Sequence, residues 1–163
     1  MDRVVSNTSP LIALHQIGLL WLYESLYREV LIPPAVVAAE AAPSLPQLPD
    51  FVRVQELSQP VPHESFGIPL GDGEAEAIAL ALEVGAGQLV IDERRGRRVA
   101  QRLGLKVAGT LGVLRVLRVL RVAKLSGRIP DVTSPVEALK AARFWVDPEL
   151  VKAVLRDVGE KEP

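Results

Sequence analysis

The chain of 163 residues has about the length of one domain, and its composition, 48% hydrophobic and 24% charged, is typical of a globular protein rather than a disordered or collagen-like one. The absence of cysteine excludes disulfides, thiolate metal sites and thiol nucleophiles. The net charge is −1, the N-terminal sequence does not resemble a signal peptide, and no apolar run reaches the roughly 20 residues that a bilayer requires, so we expect an intracellular, cytoplasmic protein.

Short apolar strands alternate with helices along most of the chain. The predicted strands cover residues 4–6, 30–32, 52–57, 89–91 and 106–108, and the predicted helices cover 11–17, 19–27, 35–42, 74–84, 93–103, a long stretch ending near 125, 136–142 and 149–158. Asp72 and Asp147 are typical N-caps, and Ser134 with Glu137 forms a capping box.

This alternation predicts an α/β fold in which a short parallel β-sheet is flanked by helices on both faces. No linker divides the pattern. We therefore expect a domain over residues 1–128 and a C-terminal helical extension, residues 129–163, packed on the same domain.

Basic residues are concentrated in one segment. From Arg94 to Arg128 there are eleven lysines and arginines, nine of them arginine, and no acidic residue. A solvated helix face and a phosphate-binding surface both fit such a segment. Within it, a Leu-Arg-Val repeat places Arg115, Arg118 and Arg121 on one side of a helix. This repeat is either a small duplication or a basic stripe for RNA or an acidic partner.

Polar side chains follow three of the predicted strands directly. Asn7, Asp92 and Thr110 each come after a strand end, and ligands of open α/β sheets bind beyond the carboxyl ends of the strands. Asp92 also fits a structural role, because it could cap the helix that follows.

Two glutamates lie on helix faces that should be buried. Glu74 shares its face with apolar residues at i+4 and i+7, and Glu40 lies on the expected inward face of its helix, whereas Glu76 and Glu83 form a polar strip and are expected at the surface. A buried carboxylate normally pairs with a cation, is protonated or binds a metal. An arginine partner and a metal site both remain open for Glu74 and Glu40.

The polar residues could also converge. Asn7, Glu40, Glu74 and Asp92 would then form a cluster of hard oxygen ligands suited to Mg²⁺ or Mn²⁺. Because three adjacent carboxylates repel one another, a divalent cation would be needed to keep all of them ionised.

Four segments carry a resemblance to a known family. The motifs VVSNTSPLIAL (4–14), IPPAVVAAE (32–40), LGDGEAEAIALAL (70–82) and LVIDERRGRRVAQRLGLKVAGTLGVL (89–114) resemble the PIN-domain family, especially small PIN-like proteins of the VapC-related type. The resemblance extends from Val4 to about Lys124. It implies a parallel sheet between helices and a Mg²⁺- or Mn²⁺-dependent endoribonuclease that acts on single-stranded RNA.

The resemblance also implies roles for individual residues. Glu40, Glu74 and Asp92 match the acids that hold the metal, and Asn7 stands where the family has an aspartate. The substrate contacts that it implies are Thr8, Ser9, Thr110, Arg94, Arg95, Arg97 and Arg98. Because asparagine removes one negative charge, we expect weaker metal binding than in a site with four acids.

Two functions therefore compete at this point. The first is a metal-dependent ribonuclease, for which the family suggests a toxin of a toxin–antitoxin pair that forms a homodimer and binds a small antitoxin protein. The second is a catalytically weakened or inactive PIN-like scaffold that binds RNA or a protein partner, and Asn7 supports it.

Overall fold

A computed structural model describes residues 3–7, 9–38, 47–61, 64–91, 93–107 and 112–161. The chain forms two compact units. The first consists of Met1–Thr8 and Tyr27–Thr110, and the second of Ser9–Leu26 and Leu111–Pro163.

The first unit is built on a parallel sheet. Its strands are β1 (Arg3–Ser6), β2 (Glu29–Ile32), β3 (Val52–Val54) and β4 (Gln88–Val90), in the order β3-β2-β1-β4. The inner strands β1 and β2 are apolar and buried, as strands covered on both faces must be. A single parallel bridge between Leu89 and Val107 extends the sheet beyond β4. The predicted parallel sheet and α/β class are confirmed.

The strand order creates a switch point in the first unit. From β1 the chain continues to β2 on one side of it, whereas β4 is added on the other side. A crevice opens at the carboxyl ends of the strands where the order reverses in this way. The carboxyl ends of β1 and β4 are therefore the expected position of a ligand site.

Helices α3 (Pro34–Val36), α4 (Asp72–Glu83) and α5 (Arg94–Arg102) belong to the same unit. α4 contacts β1 and β4, and its apolar residues join the core of the unit with those of the strands and α5. Ile78, Leu80 and Ala81 are fully buried there.

The second unit is helical over its described residues. It contains α1 (Ser9–Gln16), α2 (Leu20–Leu26), α6 (Gly112–Leu125), α7 (Thr133–Ala141) and α8 (Pro148–Asp157). α6 packs against α1, α2 and α8, and it buries Val116, Leu117, Val119 and Leu120. In the part of the chain that the structure describes, no helix is long and apolar enough to span a membrane.

Two predicted helix starts are wrong. Gly71, not Asp72, is the N-cap of α4, and Asp72 is already helical. Val132, not Ser134, is the N-cap of α7, where Glu160 accepts hydrogen bonds from the amides of Val132 (2.8 Å) and Thr133 (3.1 Å). The glutamate comes from a distant part of the chain, so local sequence could not reveal this cap.

The other cap and the strands agree with the prediction more closely. The Asp147 side chain accepts hydrogen bonds from the amides of Glu149 and Leu150, which confirms the N-cap of α8. The predicted strand at 52–57 is shorter than expected, because β3 ends at Val54. The division of the chain at residue 128 stays a prediction.

Candidate active site

A cavity of about 740 Å³ lies in the first unit at the carboxyl ends of β1 and β4. Its described lining comes from the end of β1, the end of β4, the start of α4 and the region of α3: Asn7, Val90, Ile91, Glu93, Gly71, Asp72, Gly73, Glu74, Ala77, Ala35, Val36 and Ala38. Most of the wall is apolar, and the side chains of Asn7, Asp72, Glu74 and Glu93 contribute carboxyl and amide groups to it.

Glu74 is the most informative side chain of the cavity. It occupies the third position of α4, and its Oε2 accepts a hydrogen bond from the amide of the N-cap Gly71 at 3.2 Å. Its Oε1 is buried and accepts no hydrogen bond from a described residue. One oxygen thus caps a helix, and the other is removed from water and makes no hydrogen bond with a described residue, although the nearby Gly96 amide partly offsets its charge.

The surroundings of Glu74 favour its protonated form. Burial raises the pKa of the carboxyl above its usual range, and the negative charge of Glu93 adds to this effect. The amide of Gly71, the guanidinium of Arg95 and the amide of Gly96 oppose it without reversing it. A carboxyl group with a raised pKa in a cavity is a frequent feature of functional sites.

Gly96 allows α5 to approach this carboxylate closely. A Cβ at this position would lie 2.7 Å from Oε1 of Glu74 and 2.7 Å from Cδ1 of Ile91. The absence of a side chain at the third position of α5 therefore allows both contacts, although glycine lowers helix stability by about 1 kcal/mol relative to alanine. A glycine inside a helical pattern is a signal of such a close approach that is visible in the sequence.

Asn7 lies where β1 meets β4. Its amide donates a hydrogen bond to the Val90 carbonyl (3.2 Å), the Ser6 hydroxyl donates one to its carbonyl (2.7 Å), and the residue is 8% exposed. These bonds fix the backbone at the carboxyl end of the sheet. Asn7 and Glu74, two of the four predicted metal-site residues, therefore line one cavity.

The remaining predicted site residues divide into two groups. Glu40, Asp92, Thr8 and Thr110 lie outside the described residues, and so does the side chain of Ser9. Within the described ranges, no group of three acidic or histidine side chains is close enough to hold a metal ion. Their roles in the site stay predictions.

The arginines of α5 surround the outer side of that helix. Arg94, Arg95 and Arg98 are exposed and Arg97 is half-buried, and none of them is among the described residues that line the cavity. Arg95 is close enough to Glu74 to influence its charge.

Local sequence patterns do not identify two acidic residues of the cavity, and they misplace a glutamate outside its lining. Asp72 and Glu93 both line the cavity, although the sequence predicts only a cap at Asp72 and no role for Glu93. Glu76, expected at the surface, is half-buried, and its Oε2 accepts a hydrogen bond from the Ala35 amide at 3.0 Å. That prediction is wrong because the partner is 41 residues away in sequence.

Comparison with known proteins gives one match. A family model described as a PIN domain matches residues 3–160. No curated protein and no solved structure matches the chain.

Proposed function

The chain belongs to the PIN-domain family, and from this membership we propose that it is a Mg²⁺- or Mn²⁺-dependent endoribonuclease that cleaves single-stranded RNA. PIN domains are generally metal-dependent nucleases. The cation, the substrate and the residues named below are our proposal.

The observation that carries this proposal is the buried Oε1 of Glu74. Burying a carboxylate oxygen without a donor is unfavourable unless a cation or a proton compensates for the charge. The polar groups of the cavity are oxygens of carboxylates and an amide, the ligand type that Mg²⁺ and Mn²⁺ prefer. The residues present therefore fit a hard divalent cation.

We propose that Glu74 holds the cation together with Glu40 and Asp92, and that Asn7 supplies a neutral oxygen. A bound divalent cation lowers the pKa of water and offsets negative charge on a phosphodiester. Glu74 must be ionised to serve as a ligand. Because its pKa is raised, cation binding is expected to weaken as the pH falls through that raised value.

In this proposal, two glycines position the Glu74 carboxylate, and basic and hydroxyl residues contact the substrate. Gly96 leaves space for the Glu74 carboxylate, and Gly71 fixes its second oxygen. Arg94, Arg95, Arg97 and Arg98 contact substrate phosphates, and Thr8, Ser9 and Thr110 contact the substrate near the scissile bond.

Cleavage of a labelled single-stranded RNA in Mn²⁺ tests the function. Glu74→Gln keeps the size of the side chain and removes the charge, so we expect a loss of activity of at least 100-fold, about 2.7 kcal/mol of activation free energy. Glu83→Gln is the matched control, because Glu83 lies on the same helix and binds the exposed Ser58 instead. Equal activity of the two variants would contradict the proposal, and so would cleavage that persists in excess EDTA.

A second candidate function rests on Asn7. A neutral amide in the cavity wall fits a PIN-like scaffold that binds RNA or a protein and has lost its chemistry. Asn7→Asp separates the two candidates. An increase in Mn²⁺-dependent cleavage supports a weakened nuclease, whereas wild type and variant that are both inactive support the scaffold. The toxin role, the antitoxin partner and the homodimer stay predictions from the family.

A further inference from the structure

The outer face of α5 carries a regular row of arginines. Arg94, Arg98 and Arg102 are spaced by four residues and all are exposed. Gly96, Val99 and Ala100 are buried; the helical repeat of 100° per residue places Gly96 and Ala100 opposite the row and Val99 to one side of it. The helix is therefore apolar toward the core and cationic along its outer side.

This row does not contribute to the stability of the helix. Like charges at i and i+4 destabilise a helix by about 0.2–0.5 kcal/mol per pair. Arginines in the first turn also oppose the helix dipole, whose N-terminal end is positive. No carboxylate within the described part of the chain forms an ion pair with Arg94, Arg98 or Arg102. An anionic ligand would remove all of these unfavourable terms.

The row begins beside the cavity. α5 follows Glu93, which lines the cavity, and Gly96 in its first turn lies against Glu74. Each step of four residues advances about 6 Å along the axis, so the three guanidinium groups extend over about 12 Å. Stacked nucleotides repeat every 3.4 Å or so along one strand, and this length corresponds to roughly three to four nucleotide steps.

We propose that Arg94, Arg98 and Arg102 form a phosphate track that holds a single RNA strand as it leaves the cavity. The inference rests on the proposed nuclease function and deepens it, because it adds Arg102 and gives the strand a direction along α5. Arg94 binds the phosphate nearest the cavity, and Arg102 binds the most distant one.

The structure favours this row over the second basic stripe of the sequence. On α6, one of the three arginines of that stripe, Arg121, forms an ion pair with Asp157. The neighbouring Lys124, which is not part of the stripe, lies 3.9 Å from a carboxylate oxygen of Glu160. Part of the positive charge of α6 is thus neutralised within the second unit. Among the described residues, no carboxylate pairs with the three arginines of α5.

Salt titration of RNA binding tests the track. The probe is a fluorescent 12-nucleotide oligouridylate bound to the full-length chain in EDTA, so that binding is measured without cleavage. Each phosphate contact on a single strand contributes about −0.7 to the slope of log K against log salt. We expect the triple variant Arg94→Gln, Arg98→Gln, Arg102→Gln to have a slope less negative by about 2, and Arg102→Gln alone by about 0.7.

The matched control removes the same charge elsewhere. Arg118→Gln, Arg128→Gln, Arg156→Gln replaces three exposed arginines of the second unit, and we expect its slope to remain that of the wild type. If the slope becomes less negative by the same amount in both triple variants, RNA is attracted by positive charge without a specific site. If the slope of the α5 variant is unchanged, the row does not contact RNA and would bind another anionic partner, such as an acidic protein. Either result overturns the track.

The outcome is separable from that of the proposed function. A wild type that cleaves RNA while the α5 variant keeps its salt slope refutes the track and leaves the nuclease. If the wild type does not cleave RNA, but the salt slope is less negative in the α5 variant than in the wild type, the nuclease is refuted and an RNA-binding track remains. Circular dichroism of each variant verifies that the fold is retained.

Discussion

The two oxygens of Glu74 have different physical environments, and this difference connects the fold to the site. Oε2 accepts a hydrogen bond from the Gly71 amide, whereas Oε1 is buried beside Gly96 and makes no hydrogen bond with a described residue; the Gly96 amide only partly offsets its charge. A side chain that served only as a helix cap would point both oxygens toward water or donors. A group that is retained although it is unfavourable for stability is characteristic of a functional site.

Gly96→Ala tests whether this space is reserved for the carboxylate. The new methyl group would meet only the ends of two flexible side chains, Glu74 and Ile91, and alanine gains about 1 kcal/mol of helix propensity. We therefore expect a free energy of unfolding within about 1 kcal/mol of the wild type. The carboxylate must nevertheless move, so the increase in melting temperature caused by Mn²⁺ should be lost. Thermal denaturation with and without Mn²⁺ measures both effects.

Gln101→Ala on the exposed side of the same helix is the control for Gly96→Ala. It should retain the full response to Mn²⁺. If Gly96→Ala also retains that response, the close approach of α5 is a matter of packing alone. Restoration of the response by the shorter side chain in Gly96→Ala, Glu74→Asp would identify the clash with the carboxylate as the cause.

At the scale of elements, α3 and α4 form one wall of the cavity through two contacts. Glu76 of α4 accepts a hydrogen bond from the Ala35 amide. Gly73 of α4 packs closely against α3, because a Cβ at this position would lie 3.2 Å from Cγ2 of Val36. The helix start at α3 contains Pro33 and Pro34, which have no amide hydrogen. The Ala35 amide is thus an early donor of α3, and a carboxylate from another helix satisfies it.

Glu76→Ala removes this cap from α3. We expect a loss of about 1 kcal/mol in the free energy of unfolding, the usual value for a helix cap. Because α3 lines the cavity, cleavage should also decrease. Glu76→Gln still offers an oxygen to the Ala35 amide, so it should recover most of the stability. Urea denaturation of the three proteins measures the effect, and equal stability of Glu76→Ala and the wild type would contradict it.

Local sequence patterns predicted the elements well because strands and most helices depend on neighbouring residues. The short apolar runs of β1, β2 and β4 and the Asp147 cap of α8 are examples. The patterns failed where distant residues satisfy a helix end. Glu76 caps α3 and Glu160 caps α7, and in each case the partner amide is more than 25 residues away.

The candidate site was predictable in part for the same reason. Asn7 and Glu74 were identified because strand ends and an apolar helix face are visible in sequence, and both line the cavity. The contributions of Glu93 and Gly96 depend on how closely α5 approaches α4. That distance is a tertiary property, and only the glycine inside a helical segment indicated it.

At the scale of the whole molecule, shifted carboxyl groups make stability depend on pH in opposite directions. Burial raises the pKa of Glu29 and Glu160, but their hydrogen bonds and nearby cations outweigh burial and lower it, and the Ser134 amide and hydroxyl lower the pKa of Asp131. These three groups stabilise the fold above their ordinary pKa, and this stability is lost as the pH falls through the lowered values. The contribution of Glu74 to stability changes with pH in the opposite direction, because its carboxyl binds a proton more tightly in the folded protein than in the unfolded chain.

The last prediction follows from that sign. Without metal, the charge of Glu74 destabilises the fold at any pH above its raised pKa, and the destabilisation disappears as the pH falls below the ordinary glutamate value of about 4.3. Glu74→Gln should therefore melt at a higher temperature than the wild type in EDTA at pH 7, and the difference should vanish near pH 4. Mn²⁺ at 100 times its Kd should stabilise the wild type by about 2.7 kcal/mol. It should not stabilise Glu74→Gln or Asp92→Asn.

Thermal denaturation over a pH series, in EDTA and in Mn²⁺, distinguishes the two halves of this prediction. For a chain of this size each kcal/mol shifts the melting temperature by about 2–4 °C, so the Mn²⁺ effect should be about 5–10 °C. If Glu74→Gln is no more stable than the wild type in EDTA at any pH, the buried oxygen has a compensating donor. If the Mn²⁺ shift persists in Glu74→Gln, the cation binds elsewhere on the molecule, because a site that lacks one of its charged ligands cannot retain its affinity.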